Sequence, residues 1–329
     1  MKDIKSDVSR PQKVLLAGAT GYIGKYVCET LLNRGFEVLS LGRTTINNEN
    51  DHNFEQISID LCSDKEMVEF SQSGRQIDAV ISCLGSRAGG RKDAWDVEFG
   101  ANQNLLNLAS TIGAKSFVLL SAICVQKPKL EFQFAKIAFE NSLIASGINY
   151  SIIRPTAYFK SLAGQIENLK AGKAFVMFGK GVETACKPIS AQDLSDYICD
   201  CVEDPERQNK VLPIGGPGPS INPTEQGEML FRLLGKKPKF SRVPSTMFHV
   251  ISTIMAPLAL ISEKISDLRE FVLIGHYYAT ESMLFWDAKI QKYSSNKTPE
   301  YGSDTLESFY REVLKSGLDG HELGDQKLF

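Results

Sequence analysis

Gly18-Ala19-Thr20-Gly21-Tyr22-Ile23-Gly24 is the segment of this 329-residue chain whose residue types and spacing point most directly to chemistry. It follows the apolar run Val14-Leu15-Leu16-Ala17 and opens a helix-like run that starts at Tyr22. A strand, a tight glycine turn and a helix start together bind phosphate. The glycines let backbone approach a pyrophosphate, and the helix N-terminus aims amides and its positive dipole end at it. Gly18, Gly21 and Gly24 make a GxxGxxG variant of the dinucleotide fingerprint, with Thr20, Tyr22 and Ile23 as further cofactor contacts between them. The end of the second expected strand selects the nucleotide. NAD-binding folds often place an Asp or Glu there to accept from the ribose hydroxyls. Here the position holds Arg43, with no acidic residue before Glu49. A guanidinium suits a 2′-phosphate through charge-assisted hydrogen bonds, so the cofactor reads as NADPH. Asp60-Leu61 follows the third strand, where the carboxylate can reach the adenine amino group. Cys83-Leu84-Gly85 closes the fourth and should line the dinucleotide.

Positioning these residues takes alternating strands and helices. Short, nearly all-apolar runs at 13–17, 37–41, 55–59, 78–83, 116–121 and 150–154 read as parallel strands buried on both faces. Helical stretches lie between them near 22–34, 64–72, 93–112 and 132–146. Repetition of this kind predicts an α/β fold with a Rossmann-type doubly wound parallel sheet and its ligand at the carboxyl ends of the strands. The expected organisation is a flexible N-terminus over 1–12, an NADPH-binding Rossmann domain over 13–155, and a smaller substrate-binding region over 156–329 packed on it. In that second region a strand is expected over 174–178, and a helix over 191–203 capped by Ser190. A turn-rich loop over 213–219 and helices over 223–235, 247–261 and 303–316 follow.

Bulk properties narrow the class. Hydrophobic residues make 43% of the chain and charged residues 23%, a globular balance. The formal charge of −2 argues against a nucleic-acid partner. Seven cysteines at irregular spacing, without paired CxxC motifs, predict reduced thiols packed as small hydrophobes and no metal site. Residues 1–12 are polar, without the apolar stretch of a secretory signal and too short for a plastid transit peptide. That fits a bacterial or plastid-encoded protein, or a mature form. The longest apolar helix, MFHVISTIMAPLALI over 247–261, is too short to span a bilayer. It reads as a buried or substrate-covering helix, with a peripheral membrane contact as the second reading.

This layout resembles the extended and atypical short-chain dehydrogenase/reductases. Those enzymes usually carry a Ser at the end of strand five and a Tyr-x-x-x-Lys on the next helix. Ser121 and Lys136 stand where that Ser and Lys belong, but Phe132 stands in place of the Tyr. The shared helix face then has an ammonium and no phenol. A phenol is the usual proton donor in ketone reduction, so its loss moves the expected chemistry to a conjugated carbon–carbon double bond. Lys136 would hold the nicotinamide ribose, act as the acid, or position a water. Pro155, closing the sixth strand, is counted with the cofactor contacts.

A closer resemblance spans nearly the whole chain. Its segments include Leu130 to Lys136, Tyr150 to Leu162, Val176-Met177-Phe178-Gly179, Ala185-Cys186-Lys187-Pro188-Ile189-Ser190 and Leu212 to Gly218. Further on come Glu225 to Phe231, Tyr277-Tyr278-Ala279-Thr280-Glu281-Ser282-Met283, and the ending Gly320-His321-Glu322-Leu323-Gly324-Asp325. Together these are similar to the NADPH-dependent divinyl chlorophyllide 8-vinyl reductases of chlorophyll biosynthesis. The resemblance implies a magnesium tetrapyrrole substrate whose 8-vinyl group becomes ethyl. It also implies the cytoplasm of a photosynthetic bacterium or a plastid. A flat, apolar pigment needs a wide cleft with few polar anchors. Phe159, Phe178 and the 247–261 helix are candidates to line it. Arg154, Lys160 or Lys187 would pair with the carboxylate, and His276 would ligate magnesium or donate a proton. Tyr158 and Tyr278 are the replacement acids for the missing phenol. Two other readings share the glycine motif: an isoflavone-reductase-like enzyme of another conjugated substrate, and a non-catalytic NADPH-binding regulator or assembly factor.

Overall fold

The computed structural model describes residues 13–44, 52–86 and 90–317. The 1–12 segment, Glu49 and the 320–325 motif lie outside the described residues. Strands and helices alternate through the first half: β1 (Lys13–Ala17), α1 (Tyr22–Asn33), β2 (Glu37–Gly42), β3 (Phe54–Ser58), α2 (Asp64–Ser71) and β4 (Ala79–Ser82). A short α3 (Arg91–Ala94) runs through a π-helical stretch, Trp95–Ala101, into α4 (Asn102–Thr111). Next come β5 (Ser116–Leu120), a 3₁₀ turn at Ile123–Gln126, α5 (Glu131–Ala145) and β6 (Asn149–Pro155). The expected elements are all present, with ends displaced by a few residues, as helix and strand ends commonly are.

The second half holds α6 (Ile166–Lys170), β7 (Phe175–Phe178), α7 (Ala191–Glu203), β8 (Lys210–Ile214), α8 (Pro223–Leu233) and β9 (Phe240–Val243). It closes with α9 (Thr246–Ala259), α10 (Glu263–Thr280), a small hairpin β10 (Phe285–Asp287) with β11 (Lys292–Ser294), and α11 (Leu306–Ser316). Sequence reading missed α6, β8, β9, α10 and the β10–β11 hairpin. In β8, Pro213 interrupts the run, and a proline is tolerated there because β8 is the last strand of its sheet.

All seven strands of the main sheet are parallel, in the order β3-β2-β1-β4-β5-β6-β8. The order reverses at β1, which lies between β2 and β4. In doubly wound sheets such a reversal is where the ligand crevice lies, at the carboxyl ends of the strands. One apolar layer packs α1 and α7 on one face of the sheet, and another packs α2, α4 and α5 on the other. α7 and β8, both from beyond residue 155, therefore complete the nucleotide-binding layers. A third core joins α6, β7, α8 and α11.

Candidate active site

The crevice starts at the glycine turn. Gly18 has φ +85°, and a Cβ built on it would stand 2.7 Å from the Cys83 carbonyl. A Cβ on Gly24 would stand 2.0 Å from the Gly18 carbonyl oxygen. Only hydrogen fits at either place, so the turn lies tight between β1, α1 and the end of β4. Gly21 caps α1 without a side-chain hydrogen bond, and no acidic residue occupies the first turn. Those features make the cradle fit a dinucleotide pyrophosphate.

Arg43 follows β2 and is exposed. It lies near Cys62, whose thiol is pushed up by burial and by Asp60, with Arg43 opposing. Asp60 Oδ1 accepts from the Cys62 amide at 3.1 Å. The Leu61 side chain belongs to the sheet core, and its carbonyl accepts from Asn104 Nδ2 at 3.1 Å. Only the Leu61 backbone is thus left to face a nucleotide. The Cys83 thiol is pushed up to about 12 by burial, so it stands as a neutral wall beside Leu84 and Gly85.

Phe132, Lys136 and Glu140 are spaced i, i+4, i+8 along α5, on one face. Phe132 packs with Ile123, Tyr277 and Met283 in an apolar cluster. Lys136 Nζ donates to Glu98 Oε2 at 2.7 Å. Ser121, buried at the end of β5, donates to Glu140, which also receives Arg154. Arg154, half-buried, is therefore paired with the buried Glu140. Sequence reading missed both Glu98 and Glu140. Glu140 had a signal, since it lies one helical turn beyond Lys136; Glu98 is 38 residues away and had none.

Tyr158 packs against Tyr22, with ring centroids 6.2 Å apart. Burial raises its phenol well above the ordinary range, and the Cys83, Cys124, Tyr22 and Glu98 groups add to that. Tyr278 is raised by burial and by Cys124, and Tyr158 is again among its neighbours. Both phenols therefore stay protonated. Lys160 stands 4.6 Å over the Tyr22 ring, beside the glycine turn. Pro155 ends β6, paired with Ile214.

The outer side of the site is aromatic. Phe178 meets Phe248 of α9 at 4.8 Å, and Phe248 in turn meets His276 of α10 at 6.4 Å. His249 lies 6.4 Å from His276. The His276 imidazole is held below its ordinary value by burial, then by His249 and Lys129, with Glu281 opposing. Two expected residues do not join this group. Phe159 is 3% exposed and packs in the third core against Phe309. Lys187 is 5% exposed and pairs with Glu300. Helix α9 also departs from expectation: among its residues only Ser252 is buried, and most of its apolar side chains face outward.

A family model for NAD(P)H-binding proteins matches residues 18–205. The divinyl chlorophyllide a 8-vinyl-reductase of Arabidopsis thaliana is 46% identical over 95% of this chain and 79% of its own length. That of Cucumis sativus is 47% identical over 96% of this chain and 79% of its own.

This chain belongs to the divinyl chlorophyllide a 8-vinyl-reductase family.

Similarity to a photosystem II assembly factor of Synechocystis is far lower, 22% over 72% of each chain. Among solved structures, an NADPH-dependent quinone oxidoreductase of Escherichia coli bound to NADPH aligns with a TM-score of 0.66. It covers 92% of this chain and 99% of its own at 17% identity, a likeness of fold. Tyr158, Cys124 and Tyr278 neighbour one another and connect the glycine-turn side, through Tyr22, with Lys136 of α5.

Proposed function

We infer that the chain reduces the 8-vinyl group of a divinyl chlorophyllide or protochlorophyllide to ethyl, with NADPH as reductant, in chlorophyll biosynthesis. Membership of the reductase family along nearly the whole chain carries this reading. The glycine turn is read as holding the pyrophosphate and Arg43 as binding the 2′-phosphate, which favours NADPH over NADH. Bound NADPH supplies a hydride to the terminal vinyl carbon. The inner carbon then needs a proton, and the negative charge left on the conjugated ring makes a modest acid sufficient. Lys136, Tyr158 and Tyr278 are the donors proposed at that edge, with Ser121 on the same strand-end layer. Phe178, Phe248 and the 246–280 helices are proposed to cover the pigment, and His276 or His249 to face its magnesium. In this reading residues 13–155 mainly hold the cofactor and 156–329 the pigment.

The curated relatives are chloroplastic proteins, so a plastid is proposed as the setting, with a photosynthetic bacterium as the other. No helix among the described residues is long and apolar enough to cross a membrane. A peripheral contact is proposed instead, through the outward face of α9. The exposed cations Lys237, Lys239 and Arg242, which precede α9 in the chain, would suit an anionic lipid surface.

Anaerobic incubation of the purified protein with divinyl chlorophyllide and NADPH tests the activity. A blue shift of the Soret band with matching NADPH consumption is expected. Tight NADPH binding without any spectral change of the pigment would instead assign a regulatory or assembly role.

A further inference from the structure

We propose that Glu98 is the positioning carboxylate of this site: it fixes the Lys136 ammonium at the carboxyl end of β4, and the π-helical turn exists to aim it.

Glu98 is 4% exposed, yet its carboxylate takes three hydrogen bonds. Oε2 accepts from Lys136 Nζ at 2.7 Å. Oε1 accepts from the Ser86 amide at 2.9 Å and from Ser86 Oγ at 3.1 Å. Lys136 itself is largely buried beside it. Burying two charges is costly before pairing, and an apolar pair of like volume is often as stable. Stability alone therefore gives little reason for this ion pair. Its place gives a better one: it joins the loop after β4 to the α5 face where Lys136 stands.

Local backbone supports the same reading. A seven-residue π-helical stretch is rare, and such turns concentrate at functional sites. Each extra residue rotates the side chains that follow by about 100°. The widened turn lets Glu98 face Ser86 and Lys136 while Leu105, Leu108 and Ala109 of α4 still face the sheet. Buried Asn102 pins the turn. Its Nδ2 donates to the Val97 carbonyl at 3.2 Å and the Glu98 carbonyl at 3.1 Å. Its Oδ1 accepts from Ser82 Oγ at the end of β4. The negative charge of Glu98 also reaches Tyr158 and helps keep that phenol protonated.

This inference rests on the reading of Lys136 as part of the reducing site. Its test is a double-mutant cycle on the full chain, with kcat for pigment reduction and the NADPH dissociation constant both measured. Glu98→Gln keeps the shape and loses the charge. We expect kcat to fall about 10-fold or more, with the pigment KM changed less than about 2-fold. Lys136→Met should lower kcat at least as far. The double variant should be no worse than Lys136→Met alone, because each substitution removes the same pair. Multiplying losses, or wild-type kcat in Glu98→Gln, would overturn the proposal. If Glu98→Gln does not fold, Glu98→Asp carries the test: its withdrawn carboxylate should lower kcat, and adding Lys136→Met should lower it no further than Lys136→Met alone. Full activity in Glu98→Asp, or multiplying losses, would overturn the proposal. If the wild type binds NADPH but reduces no vinyl group, the function reading fails. Non-additive NADPH affinities across the cycle would then still support the pair, and additive ones would remove it.

Discussion

Phe132, Lys136 and Glu140 show how a single residue type redirects a site. The face of α5 that presents Lys136 one helical turn from a phenol in related enzymes presents a phenylalanine here, packed into apolar surroundings. The ammonium therefore answers to Glu98, and Ser121 answers to Glu140. Arg43 is the residue on which the proposed NADPH preference rests. Arg43→Ala should raise the KM for NADPH about 10-fold or more, the worth of a charge-assisted phosphate contact, and leave the KM for NADH nearly unchanged. Steady-state kinetics with both cofactors decides it, and equal effects would remove Arg43 from the 2′-phosphate. The places of Gly18, Arg43 and Ser121 just after β1, β2 and β5, and of Lys136 on the helix that follows, were legible in the sequence because short apolar runs mark those strands. Phe159 and Lys187 were misread because side-chain type does not tell whether an aromatic ring or an ammonium is turned inward.

Elements differ in how much of themselves they show locally. The glycine turn is one that does. Gly24→Ala places a methyl only 2.0 Å from the Gly18 carbonyl oxygen. A loss of about 1–3 kcal/mol of stability is expected, together with weaker NADPH binding. Thermal melting and a nicotinamide fluorescence titration measure the two. Retention of both would mean that the turn relaxes at no cost. Strands β1, β2, β4, β5 and β6 were legible because burial on both faces favours short apolar runs. Helix α10 was not: its charges Glu263, Lys264, Asp267, Arg269 and Glu270 are spread without a clear apolar stripe. The π-helical turn had no signature either, since it depends on Asn102 and Ser82 meeting in space.

At the scale of the molecule, α9 and α10 pack together as a helical pair whose outer side is apolar. Ile254 is 67% exposed, Leu260 89% and Ile261 85%. With Met247, Val250, Ile251 and Leu258 they form a stripe along α9 and across its end. A patch of this kind marks an interaction surface. Replacing Ile254, Leu258, Leu260 and Ile261 by Ser should abolish co-flotation with anionic lipid vesicles and leave NADPH affinity unchanged. Flotation that survives the change would exclude this face as the contact. By itself the sequence determined the doubly wound sheet, the phosphate cradle and the departure from a tyrosine-based site, because strand burial, glycine geometry and helix spacing are local constraints. Only the tertiary structure decided that β8 and α7 complete the nucleotide-binding layers. It alone paired Lys136 with Glu98 and turned α9 outward. Those outcomes depend on which buried charge meets which, and on which apolar face finds a partner, and neither is written in the spacing of one segment.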